Sequence, residues 1–470
     1  MTSLRAPLFS SLLGPSLVGL ALLGAGGLAT ADDDLPSVGT DSPLDQYVRK
    51  EQPTYAWSVT KTETRPGGIK VVRFALTSQT WRGIAWKHRL NLVVPTAAKG
   101  ERARPKHAVL LITGTGGEEE HLMIVSGLAA RLGVPIAVLH DTPNQPLFRK
   151  ETGRRMKEDA LIAYSFVKFV ETGEKDWPLL FPMVRSAVSA MNALGEYSGQ
   201  QRGDWGFGRL ERFVTTGASK RGWTTWLSGV VDERVIGIAP IVYDNLNMQK
   251  QLALHHQTWG KPSPSIHDYT DAGLMKLLKT PRGKQLMRMV DPYAFRDRIK
   301  VPTMAMIGTN DTYWPLQAIN VYRHDLNTHL HAHYVPNAGH SAGLSVVAAV
   351  AGFFDHVTKR TPALPEVRLS IRPRQKATFS AFGEGKVRIQ AVRLWGSHVP
   401  NKDFTKSKWT RVAGVKTGLG WEATLPAATV KDSGQAAFIG EFELRDSSGE
   451  RFMIHSAAQV WDLRPGPSQK

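Results

Sequence analysis

Five short apolar runs, each leading into a polar or glycine-rich stretch, organise the middle of this chain: Ala108 to Thr113, Ile136 to Leu139, Phe213 to Thr216, Val235 to Val242 and Thr303 to Gly308. Strands without a polar face must be covered on both sides. Segments of helical spacing lie between several of them. One, Asp159 to Val170, carries Leu161, Ile162, Phe166 and Phe169 on a single stripe, and another runs from Met183 to Leu194. Strands alternating with helices predict a mostly parallel sheet sandwiched between helices, an α/β fold. Upstream, Val59 to Thr64, Lys70 to Thr77 and Ile84 to Val94 read as antiparallel strands.

The flanks are of different character. Arg5 is the sole charge before Asp32; Leu12 to Leu28 is apolar, and Ala29-Thr30-Ala31 offers small residues for cleavage. This is the pattern of a secretory signal peptide over residues 1–31, and it predicts an exported, periplasmic or secreted protein. An uncleaved membrane anchor is the alternative. Residues 32–362 then form the α/β domain. Within it, about 245–300 lacks strand character and reads as a helical insertion, a lid over a site or a decoration of the fold. Thr361-Pro362-Ala363-Leu364-Pro365 reads as a linker. Beyond it, Phe438, Gly440, Phe442 and Leu444 alternate up to the turn Asp446-Ser447-Ser448-Gly449, followed by Phe452 and Ile454. That hairpin predicts a small all-β, sandwich-like domain over 366–464.

Composition excludes several chemistries. With no cysteine among 470 residues, disulfides, thiolate metal sites, iron–sulfur clusters and a cysteine nucleophile are all ruled out. The net charge of +18 suits loose contact with anionic envelope material, but the scattered Lys and Arg form no tract for specific nucleic-acid recognition.

Chemistry concentrates at three points. Phe213 to Thr216 runs into Gly217-Ala218-Ser219, and a helical segment follows. A serine at such a strand-to-helix turn is raised above the sheet edge as a nucleophile, or it merely caps the helix. The common pattern is G-x-S-x-G; here Arg221 stands where the second glycine belongs and Gly222 comes one place later. Asp311 lies just past the strand Thr303 to Gly308, and His340 sits in the loop Asn337-Ala338-Gly339-His340-Ser341 after a strand over His329 to Val335. The order serine, acid, histidine is that of hydrolases built on this sheet. The oxyanion donors predicted are the Lys220 amide and an amide of Thr115 or Gly116 in the loop Thr113 to Gly117. Tyr313, Trp314 and Trp259 are candidates for lining an acyl pocket. Neither phosphate-loop pattern is present, so no nucleotide cofactor is expected. Glu118 to His121 reads as an acidic helix start. His324, His329, His331 and His333 read as a weakly buried or surface strand face rather than a metal site.

The run Thr216 to Trp223 with Thr224-Thr225-Trp226, the loop Thr113 to Gly117, the segment Gly308 to Trp314 and the Trp-bearing β tail resemble the PhoPQ-activated pathogenicity-related proteins. That resemblance implies an exported member of the α/β-hydrolase superfamily whose triad falls on Ser219, Asp311 and His340. The function expected is a serine hydrolase that cleaves a small-molecule or peptide ester or amide. The alternative is a non-catalytic envelope protein that binds anionic lipid or glycan on a hydrolase scaffold.

Overall fold

The computed structural model describes residues 35–96, 106–153, 155–201, 206–341, 343–371, 376–382, 388–418, 420–426, 429, 431 and 433–463. The leader expected over 1–31 lies outside them, and no helix among the described residues is long and apolar enough to cross a membrane.

The strands in chain order are β1 (Ala56–Arg65), β2 (Ile69–Trp81), β3 (Ile84–Val94), β4 (His107–Ile112), β5 (Ile136–Leu139), β6 (Arg212–Ala218), β7 (Val235–Ile241), β8 (Thr303–Gly308) and β9 (Leu330–Val335). β1, β2, β3 and β5 pair antiparallel. β5-β4-β6-β7-β8-β9 is a parallel run. β5 and β8 are buried along their whole lengths, as apolar runs without a polar face require. Their alternate side chains feed two cores: Leu110, Ile112, Ala137 and Leu139 on one face, Val109, Ile136 and Val138 on the other.

Helices cover both faces. α1 (Pro43–Arg49), α2 (Glu118–Leu132), α3 (Arg149–Thr152), α4 (Glu158–Thr172), α5 (Leu180–Gln200) and α6 (Lys220–Val231) precede the insertion. The insertion carries α7 (Met248–Trp259), α8 (His267–Asp271), α9 (Leu274–Leu277) and α10 (Pro281–Val290), and α11 (Ser345–Val357) follows β9. Side chains of α4, α5, α6 and α10 fill the first core, those of α2 and α11 the second. This is the α/β-hydrolase architecture. One buried carboxylate fastens the two ends of the insertion: Asp291 accepts from the amides of Asn247 (3.2 Å), Met248 (2.8 Å) and Tyr293 (2.9 Å). Burial pushes its carboxyl up to about 6.

After α11 the chain is all-β, with β10 (Glu366–Ile371), β11 (Lys376–Phe382), β12 (Ala391–Val399), β13 (Thr410–Ala413), β14 (Val415–Thr417), β15 (Gly420–Thr424), β16 (Gln435–Arg445), β17 (Arg451–His455) and β18 (Gln459–Asp462). β16 and β17 form a hairpin that pairs Phe442 with Ile454 and Leu444 with Phe452. The central sheet continues into this region: β9 meets β17 at Ala332 and His455, and the order runs on through β16, β12 and β13. A separate sheet, β10-β11-β15-β14, faces that extension, with the rings of Phe379 and Phe442 5.7 Å apart, edge to face. The sandwich thus borrows one leaf from the central sheet.

The histidine-rich strand corrects the sequence expectation of a surface or weakly buried face. His331 and His333 are buried in β9; His331 packs on His356, and His333 on His455 where β9 meets β17. Sequence periodicity could not anticipate that the C-terminal strands cover this edge.

Candidate functional site

β6 ends at Ala218 and α6 begins at Lys220, so Ser219 must reverse the chain in one residue. It does so at φ 57°, ψ −124°, a conformation that L-residues hold only when their surroundings enforce it. The enforcement is visible. The Ser219 amide donates to the Ile241 carbonyl at 2.8 Å. A Cβ on Gly217 would stand 2.9 Å from the Ile112 carbonyl oxygen, and one on Gly222 would stand 3.0 Å from that of Ile241. The close helix-to-strand contact made by the second glycine of the common pattern is therefore made here one position later.

That shift gives Arg221 a task of its own. The side chain is turned inward. Its guanidinium pairs with both oxygens of Glu158 at 2.7 and 2.8 Å, and its Nε donates to the Thr142 carbonyl at 2.5 Å. It lies across Gly114, where any Cβ would collide with it. Lys220 adds a second cation to the same carboxylate, with Nζ 2.8 Å from Glu158 and 3.4 Å from Asp159. Burial alone would raise the Glu158 carboxyl, but these two cations hold it well below the usual carboxylate range. Glu158 was not singled out in the sequence. The only signal was the unexplained Arg221 at the bend, which demands an anion.

His340, in the loop after β9, reaches Ser219 at the same carboxyl edge of the parallel strands. Its Nε2 is 2.9 Å from Ser219 Oγ, and its Nδ1 is 2.9 and 3.0 Å from the two Asp311 oxygens. Asp311 Oδ1 also accepts from the Tyr313 amide at 2.7 Å, and the Tyr313 ring stacks on the imidazole at 3.9 Å. The Asp311 side chain is 2% exposed and that of His340 22%, so the carboxylate is shielded while the imidazole is partly exposed. The two loops touch: the Asn310 amide donates to the Ala338 carbonyl at 2.9 Å, and Gly308 leaves no room for a Cβ beneath residues 338–339.

Outside support comes from the segment between β12 and β13. Asn310 donates to the carbonyls of Phe404 (3.1 Å) and Ser407 (2.7 Å). Asn337 exchanges two hydrogen bonds with the Trp409 backbone, at 3.1 and 2.8 Å. These braces join the Asp311 and His340 loops to residues 72 to 97 positions away in sequence, beyond any local pattern.

The loop Thr113 to Gly117 is held from below, the Thr113 amide on Leu139 and the Asp141 amide on Gly114. Gly116 adopts φ +94°, which favours glycine. Among the described residues, the Thr115 and Gly116 amides donate to no backbone carbonyl, and Lys220, first in its helix, has no acceptor within it. Glu118 is fixed by Arg73, Arg89 and Asn91, so the acidic start of α2 is anchored to β2 and β3.

A cavity of about 850 Å³, counting its mouth, opens beside Ser219 and is walled largely by the insertion. Tyr313 and Trp314 line it. Trp259 does not, which corrects the sequence expectation. It lies at the end of α7 with its ring 4.9 Å from that of His255 and its indole donating to Asp403 at 3.2 Å. The helical turn that aims His255 toward the cavity points a residue four positions on past its rim.

The family model of the PhoPQ-activated pathogenicity-related proteins matches residues 44–405. This chain belongs to that family. Autocrine proliferation repressor protein A of Dictyostelium discoideum is 34% identical over 318 residues, covering 64% of this chain and 61% of that protein. The match thus spans less than two thirds of that relative. Among solved structures, an acetyl xylan esterase from Paenibacillus sp. R4 covers 70% of this family member and 98% of its own chain, at 14% identity and a TM-score of 0.47. An S-formylglutathione hydrolase from Agrobacterium tumefaciens covers 64% and 98%, at 15% identity and a TM-score of 0.41.

Proposed function

We propose that this family member is an exported serine hydrolase acting on an ester or amide through an acyl-enzyme. The observation that carries the reading is the unbroken hydrogen-bond chain from Ser219 Oγ through His340 to the shielded Asp311. Only an enforced backbone bend presents the serine to that chain.

In this mechanism Ser219 attacks the acyl carbonyl while His340 Nε2 takes its proton. Asp311 holds the imidazole with Nδ1 protonated and stabilises the imidazolium that forms. The Lys220 amide and an amide of Thr115 or Gly116 receive the oxyanion, each donor contributing about 3 kcal/mol of barrier lowering. His340 then protonates the departing alcohol or amine, and water, activated by the same imidazole, releases the acid. Every step uses protein groups, and none calls for a cofactor. Export rests on the leader-like residues 1–31.

The test is fluorophosphonate labelling of the purified protein. Wild type is expected to be labelled on Ser219 and Ser219→Ala to be unlabelled, with both equally folded by circular dichroism. Labelling retained in Ser219→Ala would sink the assignment.

A further inference from the structure

The cavity beside Ser219 has two unlike walls. One is aromatic, from α6 and the loops after β7 and β8: Trp223 stacks on Tyr243 at 5.0 Å and 23°, and Tyr243 meets Trp314 edge to face at 6.0 Å. The other comes from the insertion and includes Leu274, Met275 and Leu278, flexible side chains that accommodate varied shapes. The charged lining groups neutralise one another. Asp159 accepts the Tyr269 hydroxyl at 2.9 Å on one oxygen and faces the Lys220 ammonium at 3.4 Å with the other. A charged guest would meet no unpaired charge there, whereas an apolar one would displace water from rings and thioethers.

The cavity also has a side. Ser219, Lys220 and Tyr313 line it; the His340 imidazole, against which the Tyr313 ring stacks, does not. In acyl transfer the imidazole hands its proton to the leaving group, so the leaving group stands on the His340 side of the reacting carbon. The opposite side, next to the residue whose amide receives the oxyanion, holds the acyl group.

We propose that this cavity binds the acyl half of the substrate and that the acyl group is bulky, uncharged and apolar, of medium-chain or aryl type. The proposal rests on the serine-hydrolase reading. In the step it serves, the Ser219 Oγ–carbon bond forms, the carbon–oxygen bond to the leaving alcohol breaks, and the serine proton passes through His340 to that alcohol. Hydrolysis then frees a carboxylic acid whose apolar tail leaves the cavity.

The experiment uses p-nitrophenyl esters from acetate to octanoate on the full chain, where only the acyl group varies. kcat/KM for octanoate is expected to exceed that for acetate by about tenfold or more. Met275→Trp, which fills the cavity, should lower the octanoate-to-acetate ratio by about tenfold, and Leu278→Ala should move the optimum to longer chains. Changes of opposite sign cannot both come from misfolding. Inactivation by long-chain against ethyl fluorophosphonates gives the same ratio without turnover. Preference for acetate, a ratio unmoved by both variants, or faster cleavage of acetyl esters of long alcohols than of octanoyl esters of short ones would overturn the proposal. Those outcomes leave Ser219 labelling intact, whereas its persistence in Ser219→Ala brings down the hydrolase reading itself.

Discussion

The two halves of the candidate site are held by different means. Ser219 is fixed from within the α/β region, by strained backbone, two close-packed glycines and a buried ion cluster joining Lys220 and Arg221 to Glu158. Asp311 and His340 stand on loops that lean on each other and on the C-terminal β region, through Asn310 and Asn337. In the proposed mechanism the nucleophile needs one rigid geometry, which packed backbone supplies. The proposed base shuttles a proton between two oxygens and stays partly exposed, so its loop is steadied from behind by hydrogen bonds.

The strongest challenge to this contrast removes the base. His340→Ala is expected to lower kcat by at least about 10⁴-fold, because among the described residues no other imidazole touches Ser219 Oγ; single-turnover ester hydrolysis measures it. A milder outcome would mean that the serine works without the braced half.

Glu158→Ala probes the other side. It strands the Arg221 guanidinium and leaves Lys220 only its longer contact to Asp159; those side chains are 11% and 8% exposed, while the carboxylate itself is 40% exposed. The cost expected in urea unfolding is therefore discounted to about 2 kcal/mol. The rate of Ser219 labelling should fall with it, since the loop at Gly114 rests on Arg221. Unchanged stability and labelling would leave the bend self-sufficient.

Asn337→Ala sharpens the comparison at the braced half. Losing two hydrogen bonds to Trp409 should cost about 1–2 kcal/mol of stability and lower kcat about tenfold while KM holds. A change in KM alone would assign the brace to substrate binding.

The smallest effect concerns pH. Burial pushes His88 and His140 down to about 4 and His331 and His333 down to about 3. Below about 6.5 the unfolded chain takes up protons that the native state refuses, so these groups cost stability as pH falls from 6.5 toward 4. Asp244 and Asp291, raised to about 7 and 6, oppose this, because their native carboxyls bind protons first. With His255 also pushed down to about 4 by burial, five against two predicts a net loss on acidification, read by thermal melts at pH 7 and 4.5. His331→Leu should flatten that loss, and Asp291→Asn should steepen it.

Much of the site was legible because its signals are local. The apolar runs specified strands covered on both faces, the Gly217-Ala218-Ser219 turn specified a bend, and Ser219, Asp311 and His340 came in the order such sheets use. Arg221 was legible only as an anomaly. Its partner lies 63 residues upstream, and a charge does not announce a distant carboxylate. Trp259 misled because its place in the insertion does not say which neighbour its ring meets, and that neighbour is Asp403, far along the chain.

By itself the sequence determined the α/β alternation, the position of the bend and the side chains available for chemistry, since backbone preference and hydrophobic period are written within a few residues. Only the tertiary structure decided that the central sheet runs on into the C-terminal strands, that β9 histidines are buried, and that Asn310 and Asn337 find their partners there. Such pairings depend on which surfaces meet when the whole chain collapses. That is a property of the complete packing, and no window of residues contains it.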